Sequence, residues 1–80
     1  MLKKIKDYIN DKEFRMTIFI DRIHIINYSK IISLEETRIS FLTSKGRVII
    51  KGNNLTLNKL LDDEVLISGD VSNIEVDFNE

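Results

Sequence analysis

GRVIIKGNNLTL, running from Gly46 to Leu57, carries two glycines with a lysine before the second, and it reads either as a phosphate loop or as a strand with its turns. A Walker-type loop needs G-x4-G-K-[ST], in which successive backbone amides wrap the phosphates and lead into a helix. Here Gly46 and Gly52 enclose RVIIK, one residue too many, and Lys51 precedes the second glycine. That insert is rich in β-branched residues, which resist the dihedrals of a phosphate nest, and no helical pattern follows. The glycines are therefore expected to bracket a strand. Val48 and Ile50 feed the core, and GNN turns the chain, because Gly and Asn tolerate positive φ.

Working outward, RMTIFIDRIHIIN from Arg15 and TRISFLTS from Thr37 carry β-branched and aromatic residues at strand density. Downstream, LTLNKL, EVLISG and NIEVDF repeat that pattern around the acidic turn Asp62-Asp63-Glu64. The expected fold is all-β, a mainly antiparallel meander, roll or small barrel of about six to seven short strands. In front of it, Leu2, Ile5 and Ile9 recur at helical spacing with Lys3, Lys4, Lys6 and Asp7 on the other faces, which predicts a short amphipathic helix over 1–13. A helix shorter than about 12–15 residues is marginal alone, so this one is expected to pack on something. The 80 residues are expected to form one domain, 1–80, with a β-rich core over 15–78. There is also an internal echo: Val48, Ile50, Gly52 and Leu57 recur at a constant offset as Val65, Ile67, Gly69 and Ile74, a repeated strand-turn-strand unit.

A chain this short buries only about 60% of its unfolded surface, and small domains commonly add a staple or a partner. With no cysteine, neither a disulfide framework nor a thiolate metal site can be that staple, which raises the expectation of association. No apolar run is long enough to span a membrane as a helix, and the basic start MLKKIK is not followed by a signal-peptide core; a cytoplasmic location is expected. The net charge of −1 hides a split: residues 1–59 hold all twelve Lys and Arg against six acids, and residues 60–80 hold seven acids and no base. Such a split of +6 against −7 either favours head-to-tail association and orientation at an anionic surface, or is neutralised where the two parts lie side by side. The cluster Lys3, Lys4, Lys6 is the candidate contact for an anionic surface.

Catalytic chemistry is sparse. His24 is the sole histidine and sits between isoleucines, where a structural or solvated role is expected. No His/Cys/carboxylate cluster has metal-ligand spacing, and Asp62-Asp63-Glu64 lacks the alternating ligands and glycine of a calcium loop. No enzyme activity, cofactor or metal is expected. The competing class is a small β-barrel binding single-stranded nucleic acid, which uses aromatic platforms on a basic face. The six aromatics Tyr8, Phe14, Phe19, Tyr28, Phe41 and Phe78 are scattered, most at core-facing phases, and the acidic end repels phosphate; no nucleic-acid partner is expected.

Alternation gives one further signal. If Ile39, Phe41, Val48, Ile50, Val65 and Ile67 point inward, the opposite face carries Arg38, Ser40, Arg47, Lys51, Glu64 and Ser68, but also Leu42, Ile49 and Leu66. Leu42, Ile49 and Leu66 are thus the candidate protein interface, covered either by the chain's own helix or by a partner, including a second copy. Edge strands would assist such association.

The run from Arg22 to Val76 resembles the YabP/YqfC family of sporulation proteins, and is closer to the YqfC branch. The shared features are an R-[IV]-x-[IV] strand (Arg22 to Ile25), T-R-I-x-[FI]-x-T-x-x-G (Thr37 to Gly46), I-x-G-x-x-L-x-[IL] (Ile50 to Leu57), and E-x-x-I-x-G-x-[IV]-x-x-[IV]-x-[VYF] (Glu64 to Val76). Unlike many members, this chain has no proline and only a reduced basic leader. The resemblance implies a non-enzymatic protein of endospore formation in a Gram-positive bacterium, made in the mother cell and contributing to forespore, cortex or coat development. It also implies a partner, a sporulation membrane protein encoded nearby, with at most peripheral membrane contact by the chain itself. It carries over no active-site residue.

Overall fold

A computed structural model describes residues 13–78. Six strands form one antiparallel sheet: β1 (Arg15–Ile18), β2 (Arg22–Ile26), β3 (Lys30–Leu34), β4 (Arg38–Leu42), β5 (Gly46–Leu61) and β6 (Glu64–Phe78), in the spatial order β1-β2-β6-β5-β4-β3. The all-β expectation holds, and there is no helix among the described residues; the helix expected over 1–13 lies outside them apart from Glu13, which belongs to no regular element.

The strand lengths differ from the expectation. RVIIK and LTLNKL are two parts of one 16-residue strand, and EVLISG and NIEVDF are two parts of one 15-residue strand. GNN is therefore not a turn between strands. β5 and β6 pair along their whole length, from Gly46↔Phe78 to Leu61↔Glu64, and the ladder slips register at Lys51/Gly52, Asn53/Thr56 and Lys59/Leu61. Asn54 has φ 54° and Gly69 has φ 124°, so the glycine and asparagine signals go into bending a continuous hairpin. At Gly52 the requirement is close approach: a Cβ there would overlap the Asp70 carbonyl oxygen on the facing strand.

Only part of each long strand is flanked. β4 pairs with β5 from Arg38↔Lys51 to Leu42↔Arg47, and β2 pairs with β6 from Arg22↔Ser68 to Ile26↔Glu64. The sheet thus divides into a β4 half (β3, β4, residues 46–51 and 73–78) and a β2 half (β1, β2, residues 64–68 and 56–61), joined through the bend. Ile39, Phe41, Val48 and Ile50 from one half and Ile23, Ile25, Val65 and Ile67 from the other are all buried in a single hydrophobic cluster. One sheet folded across its middle encloses a core between its two halves, which gives this small chain two layers without a helix. Tyr28, just after β2, reaches across to Phe41 of the other half, with ring centroids 5.3 Å apart and planes tilted by 57°.

The echo between Val48–Leu57 and Val65–Ile74 acquires a geometric meaning. Ile50 pairs with Ile74 as Ile67 pairs with Leu57, so the two copies are the two strands of the hairpin, each contributing its V-x-I segment to a different half. A second echo goes with it, between RIHII in β2 and RISFL in β4. Ile23↔Ile67 and Ile25↔Val65 repeat Ile39↔Ile50 and Phe41↔Val48. Connecting hydrogen bonds repeat as well. The Phe19 amide donates to the Arg22 carbonyl (2.8 Å) as the Glu35 amide does to Arg38 (2.9 Å), and Asn27 N–H to Asp63 (2.7 Å) as Thr43 N–H to Gly46 (2.7 Å). Exchanging the two halves leaves this pairing pattern in place.

Candidate protein interface

Side chains alternate across each strand, so the burial of Phe41, Val48 and Ile50 sends their neighbours to the outside. The outer face of the β4 half carries Arg38, Ser40 and Leu42 on β4, Arg47, Ile49 and Lys51 on β5, and Asn73, Glu75 and Asp77 on β6. Leu42 is 39% exposed and Ile49 is half-buried, diagonal neighbours on adjacent strands. Around them the charges are arranged by strand. Lys51 Nζ lies 3.0 Å from Glu75 Oε2, and Arg47 faces Asp77 in register. Here the basic and acidic parts of the chain lie side by side, the second of the two readings of the charge split. Ser40, buried on this side of β4, shares a 2.6 Å hydrogen bond with Ser33.

The β2 half has its own outer face, with Arg22, His24 and Ile26 on β2, Glu64, Leu66 and Ser68 on β6, and Thr56 and Asn58 on β5. Leu66 is half-buried there. Leu42 and Ile49 are therefore brought together, and Leu66 is placed on the opposite side of the molecule. The physical reason is the fold-back: Ile49 and Leu66 occupy the same place in the two repeats, one per half. The neighbour that Leu66 does have is Ile26, which stands to it as Leu42 stands to Ile49. The echo RIHII/RISFL is the signal that would have pointed to Ile26.

His24 is half-buried on this second face, and its Nε2 lies 2.5 Å from Glu64 Oε2. The Asp62-Asp63-Glu64 turn is tied to β2 through its backbone: Asn27 N–H donates to the Asp63 carbonyl (2.7 Å) and the Tyr28 hydroxyl to the Asp62 carbonyl (3.2 Å). Among the described residues, no group of three His, Cys, Asp or Glu side chains is placed to hold a metal ion. No helix among them is long and apolar enough to cross a membrane. Of the aromatic residues, Tyr28 and Phe41 are in the core and Phe14 packs against it, while Phe19 and Phe78 are exposed on separate elements. Lys3, Lys4 and Lys6 lie outside the described residues.

A family model described as YabP family matches residues 13–80, which takes in all six strands. The chain belongs to the YabP family. Membership suggests a sporulation-related protein. The match is to the family as a whole, and no curated protein or solved structure is significantly similar to the chain. The segments that carry the YabP resemblance coincide with the devices that fold the sheet. Thr37 to Gly46 spans β4 and the following turn, where the Thr43 hydroxyl donates to the Gly46 carbonyl and accepts from the Lys45 and Gly46 amides, each at 3.1 Å. Ile50 to Leu57 spans the bend in β5, and Glu64 to Val76 the matching length of β6.

Proposed function

We propose that the chain is a non-enzymatic sporulation protein of the YqfC branch that acts by protein–protein association in forespore, cortex or coat development. It works in the mother-cell cytoplasm, at most peripherally at a membrane through Lys3, Lys4 and Lys6, and its expected partner is a sporulation membrane protein encoded beside it. The observation that supports association most is the surface. Eleven large hydrophobic side chains are exposed among the described residues, and Leu42 with Ile49 forms an aliphatic pair among the polar and charged residues that β4, β5 and β6 place on that face. A sheet face that only met water would need neither.

The test is genetic and biochemical together. Deletion of the gene in its own host should lower the yield of heat-resistant spores, wild type should restore it, and Ile49→Asp should restore it poorly while remaining folded. A deletion strain that sporulates normally would sink the reading.

A further inference from the structure

The two halves repeat one another in pairing, so a place where they differ in surface chemistry stands out. The β3–β4 turn is Glu35-Glu36-Thr37, and it is closed onto the bend: the carbonyls of Glu36 and Thr37 accept hydrogen bonds from the Leu55 (2.8 Å) and Gly52 (3.0 Å) amides. The equivalent β1–β2 turn is Phe19-Ile20-Asp21, and among the described residues no backbone amide of the bend is bonded to the Ile20 or Asp21 carbonyl. This turn stands off from β6 and leaves an open cleft of about 210 Å³ bounded by Ile18, Phe19, Ile20, Arg22, Gly69 and Val71. Ile18 is 61% exposed and Ile20 105%, although a tight turn asks for Gly, Asn, Asp or Ser rather than Phe-Ile. The guanidinium of Arg22 lies 4.4 Å from the Phe19 ring centroid and is paired with Asp21 at 2.9 Å, so the cleft is rimmed by both signs of charge.

A second exposed apolar feature sits at the other end of the β2 half. β2 runs antiparallel to β6, so Arg22↔Ser68 places the cleft at the bend and Ile26↔Glu64 places the β5–β6 tip at the far end. That tip exposes Leu60 and Leu61, flanked by Lys59 and Asp62. We propose that the Leu60-Leu61 tip of one copy seats in the Phe19/Ile20/Val71 cleft of a second copy, with Asp62 facing Arg22 and Lys59 facing Asp21. Both surfaces are apolar at the centre and carry complementary charges at the rim. Because plug and cleft are different surfaces at opposite ends of the same half, the contact is heterologous and continues from copy to copy, as a ring where its rotation closes and as an open chain where it does not. This rests on the association reading and adds a self-contact on the β2 half, separate from the Leu42/Ile49 face.

The experiment is sedimentation velocity on the full chain from about 10 μM to 1 mM, the range in which a small interface self-associates. Wild type should grow past dimer with concentration. Ile20→Asp and Leu61→Asp should each weaken association at least about tenfold, as loss of a buried apolar anchor does. Ile20→Ser and Leu61→Ser give the same contrast should an aspartate perturb the fold. The decisive sample is the equimolar mixture. Leu61→Asp keeps an intact cleft and Ile20→Asp an intact tip, so together they should form a 1:1 dimer that grows no further. A mixture that stays monomeric, a wild type monomeric throughout, or a wild-type dimer that stops at two by cleft-to-cleft contact would each overturn the proposal. None of these outcomes touches the spore-yield assay, which reads the broader function separately.

Discussion

Replacing Gly52 by alanine should be among the most damaging single changes to this protein, through contact rather than dihedral strain. A Cβ at position 52 would overlap the Asp70 carbonyl oxygen and lie 2.9 Å from its carbonyl carbon and 3.0 Å from the Val71 Cα, all backbone atoms of the facing strand. Ordinary contact for a Cβ begins at 3.4 Å, so the hairpin must open until the oxygen clears, because no side chain can rotate away. Opening it there strains the ladder around Gly52↔Val71 and the 3.0 Å hydrogen bond from Gly52 N–H to the Thr37 carbonyl. Overpacking costs about 1–3 kcal/mol and each lost hydrogen bond about 1 kcal/mol, so a total of about 2–4 kcal/mol is expected. Against a stability of about 4–12 kcal/mol for a chain of this length, that is a large fraction. Urea unfolding followed by circular dichroism should show the midpoint falling by about 1–2 M at a slope of about 2 kcal/mol/M. Gly52→Asn separates the two readings of GNN. In an ordinary turn asparagine is tolerated and the loss would be a few tenths of a kcal/mol. In the bent hairpin asparagine carries the same Cβ and should be as harmful as alanine. A Gly52→Asn protein within about 0.5 kcal/mol of wild type would refute the close-approach argument.

Phe41→Ala removes the largest fully buried side chain among the described residues and its contact with Tyr28, and should cost about 3–5 kcal/mol by the same unfolding assay. Tyr28→Phe keeps the ring and loses only the 3.2 Å hydrogen bond to the Asp62 carbonyl, for about 0.5–1.5 kcal/mol. Thr43→Val should cost more than a surface change, because the buried hydroxyl that holds the amides of Lys45 and Gly46 is replaced by a methyl group of similar size; about 1–3 kcal/mol is expected in thermal or urea unfolding. Single-stranded oligonucleotides should give no salt-dependent anisotropy change at micromolar protein, since among the described residues the exposed aromatics Phe19 and Phe78 sit on different elements and form no stacking platform; tight binding that weakens with salt would restore the nucleic-acid reading.

The local character of the fold was readable because two-residue alternation is imposed by burial on one side. Ile39, Phe41, Val48, Ile50, Val65 and Ile67 are all buried, as the phase required. What alternation could not deliver is long-range geometry. Gly-Asn-Asn satisfies a turn and a bend equally well, and only the facing glycine at Gly69, with its positive φ, distinguishes a hairpin that bends as a unit from two short ones. The same ambiguity misplaced Leu66. On a flat sheet Ile49 and Leu66 share a face, and folding the sheet about Gly52 and Gly69 sends them to opposite sides. Ile20, fully exposed, was hidden for a related reason: an isoleucine inside an apolar run reads as strand until the turn is placed.

The duplication also bears on which surface can be functional. Residues that set the shared architecture recur at matching places: the arginines of RIHII and RISFL, the V-x-I segments, and the glycines of the bend. Their repetition follows from folding two equivalent halves around one core, so their presence on each side says little about partners. Departures from the repeat are different, because either chemistry would satisfy the backbone. Glu35-Glu36 and Phe19-Ile20 close the same kind of turn with the same amide-to-carbonyl bond, at 2.9 Å and 2.8 Å. That shared bond therefore does not explain why one turn is acidic and the other apolar; what differs is that only the Glu35-Glu36 turn is also bonded to the bend, through the Glu36 and Thr37 carbonyls. Exchanging them tests this directly. Phe19→Glu with Ile20→Glu should leave thermal stability within about 0.5 kcal/mol of wild type, since both side chains are exposed. The same double variant should lose self-association in sedimentation velocity. A large loss of stability would show instead that the apolar turn serves the fold, and association through it would then have no support.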